Sequence, residues 1–252
     1  MNIPSELVHH IRASANITAL TGAGVSQESG LRTFRDKVDN SGSGAEKPVW
    51  TQYRPEDLAT PEAFERDPNL VWDFYAMRRL KAGEVRPNPG HIALAEMEQH
   101  VRHFTLITQN VDGLHQRAGS IGVIELHGNI TRVRCTHGCG VFTEWKDMPG
   151  GVPVCPNCGS NLRPDVVWFG EMLPQEELES AVEATRNSQV FFSIGTSGLV
   201  QPAASLALMA KNSGAIVVEV NAEETPLTPK VDYFLRGKSG EILPKLVEQV
   251  WD

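Results

Sequence analysis

Four short, predominantly apolar runs, at residues 17–20, 104–107, 190–194 and 216–220, each stop abruptly at small, hydroxyl or amide residues. Runs of that length without regular polar alternation have the pattern of strands buried on both faces. Helical patterns lie between and beside them, at residues 5–14, 90–99, 175–187, 203–212 and 241–250. Strands and helices alternating in this way predict an α/β fold built on an open, doubly wound parallel sheet. In such sheets ligands bind beyond the carboxyl ends of the strands.

The residues just past those ends carry the polar chemistry. Thr21-Gly22-Ala23-Gly24-Val25-Ser26 follows the first run and Thr108-Gln109-Asn110-Val111-Asp112-Gly113 the second. Gly195-Thr196-Ser197 follows the third and Asn221-Ala222-Glu223 the fourth. Gly22-x-Gly24 opens like a dinucleotide fingerprint, but its third position, residue 27, is Gln, so a plain tight turn is an equal reading. Ser26, Ser29, Gly30 and Arg35 favour a ligand loop, because N–H groups at a helix start together with an arginine can hold a pyrophosphate. Gln109, Asn110 and Asp112 put three hydrogen-bonding side chains on one strand-to-helix turn; an ordinary Asx cap for the next helix is the competing account. His127, in Glu125-Leu126-His127-Gly128, stands at a strand end, where an imidazole can act as a general base near neutral pH. A lone histidine is more often structural.

The cysteines form a second, separate signal. All four lie in Cys135-x3-Cys139 and, fifteen residues on, Cys155-Pro-Asn-Cys158-Gly. Two thiolate pairs on tight turns can converge tetrahedrally on one Zn2+, and four thiolates leave it no open position, so a structural site is expected. Glycines 140 and 159 relieve the backbone where the two knuckles turn. Residues 1–12 show no basic region followed by an apolar one, so no secretory signal is expected and the cytoplasm is the expected compartment. Thiols kept reduced there hold metal more often than they form disulfides. No segment approaches the roughly 20 apolar residues of a membrane span. A net charge of −8 argues against a general nucleic-acid binder, which would need basic patches.

Residues 35–48 read as a flexible loop and 55–82 as a helical stretch; with the cysteine segment they suggest a smaller lobe over the sheet edge. The expected division is a large lobe of residues 1–35, 90–131 and 164–252 and a small lobe of 36–89 and 132–163. Asp67-Pro68 signals a helix start, and from there Val71, Phe74, Tyr75 and Arg78 share one face. A guanidinium on an apolar stripe needs an anion. Arg78 therefore forms a buried ion pair, snorkels to solvent, or joins Tyr75 in a clamp for a ligand carboxylate.

Taken together these segments resemble the sirtuin family over nearly the whole chain. The motifs are Thr21 to Ser26 with Ser29-Gly30 and Phe34-Arg35, Thr108 to His115, Glu125 to Gly128, the four cysteines, Val167-Trp168-Phe169-Gly170-Glu171, Gly195-Thr196-Ser197 and Val220-Asn221. The resemblance implies a Rossmann-like domain with a small zinc-ribbon and helical lobe, and NAD meeting an acyl-lysine protein in the cleft between them. It implies NAD contacts from Gly22, Ala23, Gly24, Ser26, Gly30, Phe34, Arg35, Gln109, Asn110, Asp112, Gly195, Thr196, Ser197, Asn221, Ala222, Glu223 and Ser239. His127 matches the family's general base, with Asn110 and Asp112 positioning ribose and nicotinamide; the stretches Val167 to Glu171, with Val167, Phe169, Gly170 and Glu171, and Gly198 to Gln201 match those that pair with substrate backbone. The expected reaction moves the acyl group from lysine to ADP-ribose as nicotinamide leaves. Tyr75-x-x-Arg78 is similar to the feature of the branch that accepts succinyl-, malonyl- or glutaryl-lysine as well as acetyl-lysine.

Two departures stand inside the cofactor loop: Arg32 where the family usually has proline, and a longer 36–49 segment ending Pro48-Val49-Trp50. The competing functions are a protein mono-ADP-ribosyltransferase and a non-catalytic zinc-ribbon binding module.

Overall fold

The structure, a computed structural model, describes residues 3–31, 53–146 and 151–251. Phe34, Arg35 and the two departures at residues 32 and 36–50 lie outside them. The helices are α1 Ser5–Ala13, α2 Ala23–Gln27, α3 Pro55–Leu58, α4 Pro61–Arg66, α5 Pro68–Glu84, α6 Pro89–His100, α7 Leu114–Ala118, α8 Gln175–Arg186, α9 Leu206–Asn212 and α10 Ser239–Trp251. The strands are β1 Asn16–Thr21, β2 His103–Thr108, β3 Ile124–Glu125, β4 Gly128–Cys135, β5 Val141–Phe142, β6 Leu162–Val166, β7 Val190–Ile194, β8 Ile216–Asn221 and β9 Tyr233–Arg236.

The apolar runs become β1, β2, β7 and β8, the inner strands of a parallel six-stranded sheet ordered β3-β2-β1-β7-β8-β9. Helices cover both faces, which is why these strands lack polar alternation. Phe191 and Phe192 show the pleat. Phe192 packs with Leu7, Ile11, Leu94, Met97, Leu243 and Leu246 of α1, α6 and α10, while Phe191 packs with Ala181, Leu206 and Ala210 of α8 and α9. Burying each ring contributes about 1.5–3 kcal/mol. The edge strands β3 and β9 escaped the sequence reading because they are two and four residues long and only partly buried.

A second, antiparallel sheet, ordered β5-β4-β6, packs against α3, α4 and α5 around a core of its own. Leu58, Phe64, Val71, Trp72, Phe74 and Tyr75 meet Ile130, Val133, Cys135, Cys155, Leu162 and Trp168 there. The cysteine segment, residues 132–163 of the expected small lobe, thus begins and ends in paired strands. A register shift between Asn129 and Val133 breaks the alternation that would have revealed β4. The helical stretch over 55–82 is three helices. Thr60 Oγ1 accepts from Ala63 N (3.1 Å) and Asp67 Oδ1 from Leu70 N (3.0 Å), and a proline follows each cap. A cap plus proline starts a new helix, and the residue before proline ends the old one. Among the described residues no helix is long and apolar enough to cross a membrane.

Candidate active site

The chain leaves β1 for β2 on one side and meets β7 on the other, so the sheet has its topological switch point between β1 and β7. Two glycine turns interlock there. Gly24 N donates to the Gly195 carbonyl (2.8 Å) and Gly22 N to that of Ile194 (3.0 Å). A Cβ on Gly22 would lie 2.8 Å from Thr196 Cα, and one on Gly24 would lie 2.8 Å from the Gly195 oxygen. These glycines therefore let two strand-end turns touch, a demand the fingerprint spacing did not predict.

The neighbouring turn, from β2 into α7, is tied to the same place. Asn110 Nδ2 donates to the Gly22 carbonyl (3.0 Å) and to Ser26 Oγ (3.0 Å), and Ser26 hydrogen-bonds Asp112. Thr108 Oγ1 accepts from Asn110 N (3.0 Å) and from Thr21 Oγ1 (2.9 Å), which also meets His115 Nε2 at 2.9 Å. Asp112 Oδ1 accepts from Leu114 N (2.9 Å), so the Asx-cap account is correct for that oxygen. Burial pushes the Asp112 carboxyl above the usual aspartate value, against the Leu114 N–H and the Ser26 hydroxyl. Gln109 Nε2 reaches Thr196 Oγ1 (3.3 Å), and Asn221 Nδ2 donates to the Thr196 carbonyl (2.8 Å), closing the row from β2 to β8.

His127 joins β3 to β4 beside this row. Its Nδ1 stands 3.0 Å from the Gln109 carbonyl, which can only accept, so Nδ1 carries the hydrogen and Nε2 keeps the lone pair. Burial lowers its pKa below 6.5, against the Gln109 hydrogen bond, so the ring is neutral at pH 7. On one side Glu125 pairs with Arg132 (2.7 Å), and Arg132 and Arg134 share Asp165 (2.8 and 2.6 Å). On the other, Gly128 (φ +76°) lies so close to β6 that a Cβ would fall 2.1 Å from the Asp165 oxygen. A neutral imidazole held this way can take a proton from a hydroxyl.

Arg78 approaches from α5. Burial disfavours its charge, while Tyr75 and Asp112 lie near enough to favour it. The helix thus brings the guanidinium within range of the Asp112 charge. Tyr75 is buried, and its hydroxyl accepts from Trp168 Nε1 (3.0 Å). After β6, Val167 N donates to the His127 carbonyl, Phe169 N to that of Ala59 and Glu171 N to that of Trp168. Gly170 adopts φ +89°, and the Phe169 ring is half-exposed. The Glu171 carboxylate holds Arg163 and the Trp168 N–H. Ser239 is buried with its hydroxyl on Glu28 Oε1 (2.7 Å). Gly30, Ala23 and Glu223 are exposed, and Ala222 N bonds Asn221 Oδ1 (3.0 Å). Arg163 and Glu28 received no role from the sequence alone, and Trp168 and Thr108 only a place within longer motifs. Their partners are distant in the chain or lie on unpatterned loops, so no local signal marks them.

The four cysteine sulfurs lie within 4.8 Å of one another, with Cys135 and Cys158 at 3.5 Å. Zn–S bonds of about 2.3 Å in a tetrahedron put sulfurs roughly 3.8 Å apart, so Cys135, Cys139, Cys155 and Cys158 fit one structural Zn2+. The knuckles fold back through Gly138 N to the Cys135 carbonyl and Gly159 N to that of Cys155.

A parallel sheet with a polar switch point, a neutral histidine beside it and a four-thiolate ribbon define a nucleotide-dependent enzyme class with a structural zinc. The sequence profile of the Sir2 family matches residues 22–202. An NAD-dependent protein deacylase of Pyrococcus furiosus is 52% identical over 94% of this chain and 94% of its own length. NAD-dependent protein deacylase 1 of Archaeoglobus fulgidus is 49% identical over 97% of each chain. A crystal structure of a Sir2 homolog–NAD complex superposes with a TM-score of 0.90 at 47% identity, covering 99% of this chain and 94% of that one. A Sir2 bound to acetylated peptide gives 0.86 at 30% identity, covering 99% and 98%. The chain belongs to the Sir2, or sirtuin, family.

Proposed function

We propose that this chain removes acyl groups from protein lysines at the expense of NAD and one water, giving free lysine, nicotinamide and O-acyl-ADP-ribose, and that its acyl range includes succinyl and malonyl besides acetyl. The observation that carries the reading is His127, a neutral base with its Nε2 lone pair available, fixed beside the turn that bears Asn110 and Asp112. Relatives named NAD-dependent protein deacylase and Sir2 structures with NAD and with acetylated peptide support it.

NAD, when bound, supplies an activated ribose carbon to receive the acyl group. His127 takes the proton from a ribose hydroxyl, and Asn110 and Asp112 orient the ribose and nicotinamide end. Residues 22–26 with 195–197 take the pyrophosphate, and Asn221, Ala222, Glu223 and Ser239 serve the adenosine end. The substrate lysine enters between the six-stranded and three-stranded sheets, gripped by 167–171 and 198–201, where Phe169, Met172 and Leu199 are exposed apolar side chains. Val167, Phe169 and Glu171 use their amides within the protein, so that segment offers a peptide its carbonyls and the Gly170 N–H. Tyr75 and Arg78 present donors to the end of the acyl chain, which favours a carboxylate. The cytoplasm is the compartment this reading favours.

The test is a product assay on an acyl-lysine peptide with wild type and His127→Ala. The expected result is nicotinamide and O-acyl-ADP-ribose in equal amounts from wild type, with roughly a hundredfold or greater loss in the variant. ADP-ribose attached to protein, with the peptide still acylated, would instead establish transferase activity.

A further inference from the structure

Tyr75 has an environment that decides which way its hydroxyl works. The residue is 2% exposed, and the Phe74 ring stands edge-on at 5.0 Å. Trp168 Nε1 lies 3.0 Å from the phenol oxygen. An indole N–H can only donate, so the phenol oxygen is the acceptor of that bond and its one hydrogen is directed elsewhere. Burial pushes the phenol up to about 12, so it keeps that hydrogen.

The indole is itself held in place by its neighbours. Arg163 lies over its face, with the guanidinium carbon 3.4 Å from the ring centroid. Arg163 is fixed by two hydrogen bonds to Glu171 and by one to the Val166 carbonyl (2.7 Å). Glu171 Oε2 also accepts from the Trp168 backbone N–H (2.8 Å), and Phe64 packs at 5.4 Å. One turn along α5 from Tyr75, Arg78 adds a guanidinium, which has donors and no acceptor. Toward an acyl chain that reaches this point of the small core, the pair would offer the phenol hydrogen and the guanidinium N–H groups. A terminal carboxylate, acceptor only, satisfies both. A terminal methyl satisfies neither, and a terminal amide offers one acceptor oxygen without the charge that strengthens the bond.

From this geometry we infer that Trp168 is a positioning residue for acyl selectivity: its indole N–H fixes the Tyr75 hydroxyl as a donor and so selects acyl groups that end in a carboxylate. The inference rests on the acyl range proposed above. Glu171 and Arg163 extend it, since they hold the indole in register and link the segment proposed to grip the peptide to the residue that senses the acyl end.

A double-mutant cycle tests it, with Trp168→Phe, Tyr75→Phe and both together. The readouts are the succinyl-to-acetyl ratio of kcat/KM and the affinity for succinyl-lysine peptide by calorimetry. A hydrogen bond to a charged group is worth roughly a tenfold effect or more. Trp168→Phe is expected to lower the ratio about tenfold, through KM and peptide affinity more than kcat, and Tyr75→Phe at least as much. The double variant is expected to be no worse than Tyr75→Phe, because Trp168 acts through that hydroxyl. Additive losses, or an unchanged ratio for Trp168→Phe while Tyr75→Phe lowers it, would overturn the inference and leave the acyl range standing. An unchanged ratio for Tyr75→Phe and for Arg78→Met would overturn the acyl range, and the inference with it. If phenylalanine lowers stability, benzothienylalanine at 168 keeps the bicycle, loses only the N–H, and gives the same readouts.

Discussion

The carboxyl edge of the six-stranded sheet and the cysteine ribbon are both rich in glycine, and they need it for different reasons. At the edge, a Cβ on Gly24 or Gly195 would lie 2.8 or 2.6 Å from backbone of the facing turn. In the ribbon, a Cβ on Gly159 would meet nothing within 4 Å, and only its φ of +75° calls for glycine. The edge is a close-packed joint between two turns, and Asn110 ties the turn after β2 to it through the Gly22 carbonyl and Ser26. The ribbon buries one cysteine of each pair, Cys135 and Cys155, and leaves Cys139 and Cys158 exposed. One region is thus built to stand before its ligand arrives, and the other to be completed by a metal.

Removing the metal should have the largest effect. Structural Zn2+ in small domains contributes on the order of 10 kcal/mol or more, so Cys155→Ser or a chelator should release one zinc per chain and collapse the ribbon. Near-UV signals from Trp145 and Trp168 should fall while much of the far-UV signal of the large sheet remains. Equal loss of both would mean that the two regions do not differ as described.

Acid should act next, and on the edge. His91 and His115 are buried with ring centroids 4.8 Å apart, and burial lowers their pKa values to about 4 and about 3. Below pH 6.5 the unfolded chain binds protons at both residues and the folded chain does not. Stability present above pH 6.5 is therefore lost as pH falls toward 4, by up to about 1.4 kcal/mol per pH unit for each histidine. Urea midpoints at pH 7 and 5 should show a smaller drop for His91→Asn than for wild type; zinc loss in acid affects both alike. An equal drop would show that His91 does not titrate differently on folding.

Alanine substitutions separate the two uses of glycine at smaller scale. Gly24→Ala forces backbone apart and should cost about 3 kcal/mol and weaken NAD binding, whereas Gly159→Ala carries only left-handed strain of about 1 kcal/mol and should keep its zinc. Denaturation and metal content of the two variants check this; similar costs would remove the distinction.

The difference also explains what could be read beforehand. Central strands buried on both faces, and four cysteines at knuckle spacing, are local patterns, so the sheet and the zinc ligands were visible in the sequence. The strand β4 was hidden by its bulge, and the breaks in 55–82 needed weight given to Thr60-Pro61 and Asp67-Pro68 as successive starts. At the site, His127, Asn110 and Asp112 stood out as residue types at strand ends. The contact of Gly24 with Gly195, the Gln109 carbonyl that fixes the His127 tautomer and the Trp168 bond to Tyr75 join residues far apart in the chain. No spacing rule reaches them.

The central proposal is that the acyl range of this sirtuin extends to groups with a negative end, and one comparison tests it most directly. Wild type and Arg78→Met would be assayed for NAD-dependent removal of succinyl and acetyl groups from the same lysine peptide. Loss of the guanidinium should lower desuccinylation by roughly ten- to a hundredfold more than deacetylation. An equal effect on the two peptides would contradict the account and leave Arg78 a structural residue of the small core.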